Sequence, residues 1–151
     1  MFRREKYPFE RVMALESIAE DLRAEGNLEE AVVARYEAIE IQEHFDDPSP
    51  SMIGGSRWEL IADLLALGRD EEAIAAAELA VSDWDQARDT PHWVLGVGCS
   101  LNLLSRAHAA AGHWDAAFAA ADEAVGIFRA NGGGPDLVEA LNHRSTALAA
   151  M

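Results

Sequence analysis

One short phrase occurs three times in this chain and limits its possible folds more than any other feature. Each copy has a glycine, an alanine five residues later and a second alanine seven residues after that. The copies are Gly26, Ala31 and Ala38; Gly68, Ala73 and Ala80; and Gly112, Ala117 and Ala124. The first alanines of successive copies are 42 and 44 residues apart. The chain is therefore an array of repeats, each of which buries its apolar face against its neighbours.

Proline and glycine divide each repeat into two helices. The prolines lie where the first helix of a repeat would begin, a position that tolerates the missing N–H. They are Pro8, Pro48, Pro50, Pro91 and Pro135. The phrase glycine follows a stretch with helical apolar periodicity and precedes acidic residues. This order is typical of a glycine that ends one helix shortly before the next helix begins. We predict an all-α, right-handed solenoid of three antiparallel helical hairpins plus a C-terminal closing helix. Helices are expected near 9–24, 28–45, 52–67, 70–87, 92–111, 114–130 and 136–150.

The whole chain, 1–151, is predicted to be a single domain, since its length suits one hydrophobic core. Its repeats are placed at about 9–45, 50–87 and 91–130, with a half repeat at 135–151. One stripe of each first helix, counted back from the phrase glycine, is predicted to form the core. These positions are Leu15, Ile18, Ala19 and Leu22; Arg57, Leu60, Ile61 and Leu64; and Leu101, Leu104, Ser105 and His108.

The phrase, with leucine and a small residue upstream of its glycine, resembles the tetratricopeptide repeat (TPR) family over roughly residues 9–150. The standard unit of that family has about 34 residues. The longer period here is similar to the kinesin-light-chain-like variant, as are Leu101-Asn102-Leu103-Leu104 and Leu141-Asn142. Arginine supplies all but one of the basic residues, which further indicates a bacterial type. The resemblance implies a non-catalytic protein–protein interaction module.

The same resemblance implies that a second stripe of the first helices lines a concave groove, which holds a peptide or a partner helix. The predicted groove residues are Glu16, Glu20, Arg23, Trp58, Leu65, Asn102, Arg106 and Asn142. Asparagine can bind both a peptide N–H and a C=O, and arginine can bind a carboxylate through two hydrogen bonds. Trp58 either anchors the partner or packs between repeats as core.

Charge argues against two classes of partner. The chain carries 27 acidic and 12 basic residues, a formal charge of −15, so we expect neither nucleic acid nor anionic membrane as a partner. The charge is concentrated at the front: residues 1–50 carry −7, 51–100 carry −6 and 101–151 carry −2. The acidic residues of 1–100 either form a solvated surface or attract a basic partner.

Cysteine usage and the N-terminus favour a cytoplasmic location. Cys99 is the only cysteine, so an intrachain disulfide is impossible and a reducing compartment fits. The opening residues lead into no apolar segment of signal-peptide type, and no apolar run is long enough to span a membrane.

Residues suited to catalysis or metal binding are not arranged for either. His108 and His113 are five apart, which misses the i, i+4 spacing of a helical metal pair. Cys99 has no basic neighbour to lower its pKa. We therefore expect no enzyme activity, no metal site and no cofactor. The alternative function is a regulatory or sensor domain that binds a signalling peptide or controls a transcription factor.

The last helix is predicted to be a self-association surface. It is apolar, its few charges end well before the C-terminus, and terminal repeats need a polar cap. Pairing of this patch with itself predicts a homodimer through the C-terminal helix. The residues expected in the contact are Leu137, Leu141 and Leu148.

Overall fold

The computed structural model describes residues 6–151, which form seven α-helices and contain no strand. Each predicted helix is present, with bounds that differ by a few residues at most. The helices are α1 (Pro8–Ala24), α2 (Leu28–Glu43), α3 (Pro50–Ala66), α4 (Asp70–Asp85), α5 (Trp93–Ala110), α6 (Trp114–Ala130) and α7 (Pro135–Ala150). No helix in this part of the chain is both long and apolar enough to cross a membrane.

The phrase glycines close the tight turn of each hairpin. Gly26, Gly68 and Gly112 have φ of 82°, 73° and 78°, a conformation that other residues adopt at a cost. In the first turn the N–H of Asn27 donates to the Leu22 carbonyl at 2.8 Å, and the N–H of Gly26 donates to the Arg23 carbonyl at 3.0 Å. The other two turns have the same bond pair, a Schellman motif that satisfies the last carbonyls of the first helix.

The helices pack as hairpins in series, with α1 on α2, α3 on α4, and α5 on α6. Successive hairpins meet through α2 and α3 and through α4 and α5, and α7 packs on α6. The first helices also lie side by side later in the chain, α3 against α5 and α5 against α7. All six phrase alanines are at most 1% exposed, so a small side chain is needed where the two helices of a hairpin approach.

The predicted core stripe is wrong at Ile18, which is 49% exposed. Its equivalent in α3 is Leu60, which is fully buried because it packs in a cluster with Val32 and Ile39 of the preceding repeat. Among the described residues no repeat precedes α1, so the corresponding face of Ile18 is not covered.

Polar residues in the core stripe have specific partners or environments. Arg57 is 6% exposed, and its Nε donates to Asp83 Oδ2 at 2.6 Å. Burial raises the pKa of Asp83, and the bond from Arg57 offsets this effect only in part. His108 is partly buried; burial, and then the neighbouring His113, lower its pKa. Of these two residues, Arg57 is therefore the buried cation, and the carboxylate of Asp83 compensates its charge.

Candidate functional site

A cleft of about 450 Å³ separates α1 from α3, and the floor between them comes from α2. Its lining residues are Met13, Glu16, Ser17 and Glu20 of α1; Met52, Gly55, Ser56 and Glu59 of α3; and Arg35 of α2.

Helical periodicity places these residues on facing walls. The four lining residues of α1 and the four of α3 both follow the spacing i, i+3, i+4, i+7, which is one face of a helix. On α3, the small residues Gly55 and Ser56 project little into the cleft. A Cβ added at Gly55 would have no described atom within 4 Å, so the missing side chain leaves space in the cleft.

A buried ion network fixes the base of the cleft. Asp63 of α3 is 1% exposed and accepts two hydrogen bonds of 2.6 Å, from Arg23 Nε of α1 and from Arg35 Nε of α2. Arg35 is 3% exposed and also donates to Glu20 Oε1 at 3.1 Å. Arg23 Nη1 lies 2.7 Å from Glu59 Oε2. One carboxylate therefore joins three helices.

The same network keeps Arg23 charged. Burial lowers the pKa of Arg23, but hydrogen bonds and Coulombic attraction to Asp63 and Glu59 outweigh burial and raise its pKa above the ordinary value. Arg23 therefore stays protonated and keeps its charge-assisted bonds to Asp63 and Glu59.

The rim of the cleft combines carboxylates with apolar surface. Ser56 Oγ accepts from Gln42 Nε2 at 3.0 Å and donates to Glu16 Oε1 at 2.6 Å, which holds one carboxylate in place. The side chains of Glu20 and Glu59 are 57% and 48% exposed. Met13, beside them, is 53% exposed. The arrangement presents hydrogen-bond acceptors around a flexible apolar patch.

Comparison with solved structures decides the fold. A kinesin light chain-like protein with nearly identical TPR-like repeats from Podosopora anserina superposes with a TM-score of 0.78 at 21% identity, over 97% of this chain and 70% of that one. The fold is a TPR-like helical repeat. The TPR domain of Sgt2 from Aspergillus fumigatus has a TM-score of 0.65 at 18% identity, over 98% of this chain and 85% of that domain. No protein-family model and no curated protein matches the sequence.

The cleft lies on the side of this TPR-like solenoid that the first helices form. Of the predicted groove residues, Glu16 and Glu20 line the cleft, whereas Arg23 does not line it and instead donates to Asp63. Sequence reasoning missed the apolar lining residues Met13 and Met52. The recurring i, i+3, i+4, i+7 spacing on α1 and α3 could have identified both.

Trp58 packs between repeats. Its Nε1 donates to Ser100 Oγ of α5 at 2.8 Å, and its ring stacks on Trp84 with centroids 5.3 Å apart. It contacts both the central hydrophobic cluster, which includes Leu60, Ile61 and Leu64, and the C-terminal hydrophobic cluster, which includes Leu101, Val125 and Phe128. Of the two roles considered for Trp58, the structure favours core packing. Leu65 likewise packs against the central cluster.

Asn102 was expected on an open groove, but its side chain is only 2% exposed because the start of α7 covers it. Its Nδ2 donates to the backbone carbonyl of Asp136 at 3.5 Å, and its Oδ1 is buried with no partner among the described residues. Arg106 and Asn142 are exposed on α5 and α7. The predicted stripe therefore divides into buried and open positions.

Cys99 is a partly buried thiol at the contact between α5 and α7. Burial, with nearby Asp136 and Glu139, raises the pKa of Cys99 to about 12, so the sulfur is protonated at neutral pH. No cluster of three or more His, Cys, Asp or Glu residues in 6–151 is arranged to hold a metal ion.

Proposed function

We propose that this chain is a non-catalytic interaction module of the long-repeat, kinesin-light-chain-like TPR type, and that it binds a peptide or a partner helix in the α1–α3 cleft. The observation that carries this proposal is the lining of the cleft. Exposed Met13 and partly buried Met52 stand on two facing helices with three glutamates, above the Asp63 ion network.

Two physical properties favour binding there. Methionine is flexible and polarizable, so Met13 and Met52 can adapt to apolar side chains of different shapes. The Asp63 network holds α1, α2 and α3 together before a partner arrives. A site that needs little reorganisation loses less free energy on binding.

A bulky side chain at Gly55 is expected to block the cleft without disturbing the core. Neither Gly55 nor Gly126 has a described atom within 4 Å of an added Cβ. Gly55→Phe should therefore abolish partner capture, whereas Gly126→Phe, on α6 outside the cleft, should retain it. The measurement is affinity capture from lysate of the source cells with the wild type and both variants, followed by mass spectrometry.

Thermal unfolding by circular dichroism is the control that both variants are folded. Proteins captured by the wild type and Gly126→Phe, but not by Gly55→Phe, would support the proposal. Capture of the same proteins by all three chains would contradict it.

We also propose that the chain self-associates through α7. Leu148 is 60% exposed, whereas its equivalent in α3, Leu64, is fully buried under α4. Among the described residues no second helix covers α7. Leu137 and Leu141, by contrast, are partly buried against the C-terminal cluster, so Leu148 is the more available contact.

Light scattering after size exclusion tests this dimer. Because a higher protein concentration favours association, we expect the wild type to be a dimer at about 100 μM. Leu148→Glu should give a monomer, since a charge would enter the apolar contact. Leu79→Glu, at a residue of α4 that is 50% exposed, should leave the dimer intact. A monomeric wild type at that concentration would rule out the proposal.

A further inference from the structure

We infer that the partner of the α1–α3 cleft is cationic: a peptide or helix with an arginine or lysine next to an apolar side chain. This inference rests on the proposed function and adds the chemistry of the partner. Basic residues would meet the carboxylates of the rim, and the apolar side chain would pack between Met13 and Met52.

The charges of the cleft carry the inference. Three carboxylates line it, on Glu16, Glu20 and Glu59, against the one guanidinium of Arg35. Arg35 is 3% exposed; it shares the buried carboxylate of Asp63 with Arg23, and the two arginines also pair with Glu20 and Glu59. With Glu16 included, four carboxylates face two guanidinium groups, so a partner meets an excess of two negative charges at this cleft.

Hydrogen bonding points to the same kind of partner. Carboxylates only accept, so they need a partner that donates. Glu16 uses one oxygen for Ser56, and Glu20 uses one for Arg35. The second oxygen of each accepts no hydrogen bond from a described residue. Guanidinium and ammonium groups supply several N–H donors, and their bonds to carboxylates are stronger than bonds between neutral groups.

The electrostatic field of the whole chain also favours a cationic partner. The formal charge is −15, and residues 1–50, which include α1 and α2, carry −7. A field of one sign accelerates the approach of oppositely charged ligands and repels acidic ones, and salt weakens both effects. Partners with acidic tails are thus disfavoured at this cleft.

A bead-displayed library of random dodecapeptides tests the inference without a known partner. Beads that bind the wild-type chain should be enriched in sequences with Arg or Lys beside Leu, Ile, Met or Phe, and binding should weaken as salt rises. A triple variant, Glu16→Gln, Glu20→Gln and Glu59→Gln, should bind the selected peptides at least about tenfold more weakly.

The matched control removes the same charge elsewhere. Glu40→Gln, Glu78→Gln and Glu123→Gln change exposed residues of α2, α4 and α6, and should leave the affinity within about twofold. An equal loss in both triple variants would mean that only net charge matters and would overturn the inference.

The remaining outcomes separate this inference from the proposed function. Selection of acidic or neutral peptides that Gly55→Phe fails to bind would overturn the cationic partner and leave the cleft as the binding site. Selected peptides that bind Gly55→Phe as well as the wild type would overturn both. A library with no binders at all would do the same.

Discussion

Asp63→Asn should lower the free energy of unfolding by about 3–5 kcal/mol, because it leaves a buried cation without its counter-charge. The Asp63 carboxylate accepts 2.6 Å bonds from both Arg23 and Arg35, and Arg35 is 3% exposed. Its other partner, Glu20, is largely in solvent and bonds at 3.1 Å. Urea denaturation of the wild type and the variant measures the difference.

The control is the same chemical change in an exposed pair. Arg69 donates to Glu72 at 2.9 and 2.8 Å on the surface of the second repeat. Exposed pairs contribute little, so Glu72→Gln should cost no more than about 1 kcal/mol. Equal losses for Asp63→Asn and Glu72→Gln would show that the buried network does not hold the first two repeats together.

Gly96→Ala should destabilise the protein by about 1–3 kcal/mol, although alanine is the better helix former. Gly96 lies in the first turns of α5 against Trp84, and an added Cβ would overlap the indole ring. Trp84 is 8% exposed and stacked on Trp58, so it has little room to move. Chemical denaturation gives the stability, and tryptophan fluorescence reports the displaced ring.

Gly126→Ala is the matched control, since it makes the same substitution within α6. No described atom lies within 4 Å of a Cβ added there, so the variant should gain about 0.5–1 kcal/mol from helix propensity. The expected effects have opposite signs. A Gly96→Ala chain as stable as the wild type would contradict the packing described for Trp84.

Much of the fold could be predicted because its signals are local. The phrase glycines adopt the positive φ that ends a helix, and the phrase alanines are buried where helices approach. Ile18 was placed wrongly because sequence periodicity shows which face of a helix is apolar but not whether a neighbouring repeat covers it. The same limit applies to Asn102, which α7 covers from 34 residues further along the chain.

The candidate site was predicted only in part. Glu16 and Glu20 were found from the groove stripe of the first helix. The base of the cleft was not found, because Asp63 joins Arg23 and Arg35 across separations of 40 and 28 residues. Sequence can show that a charged residue interrupts an apolar stripe, as at Arg57. It does not show which distant carboxylate will neutralise that charge.

Methionine methyl NMR shows whether partners bind between α1 and α3. Met13 and Met52 line the two walls of the cleft, whereas Met151 follows α7 at the other end of the solenoid. With ¹³C-methyl methionine in the chain, addition of a captured partner or a selected peptide should shift the signals of Met13 and Met52. The Met151 signal should stay in place. Binding that leaves the Met13 and Met52 signals unchanged would contradict a site between α1 and α3.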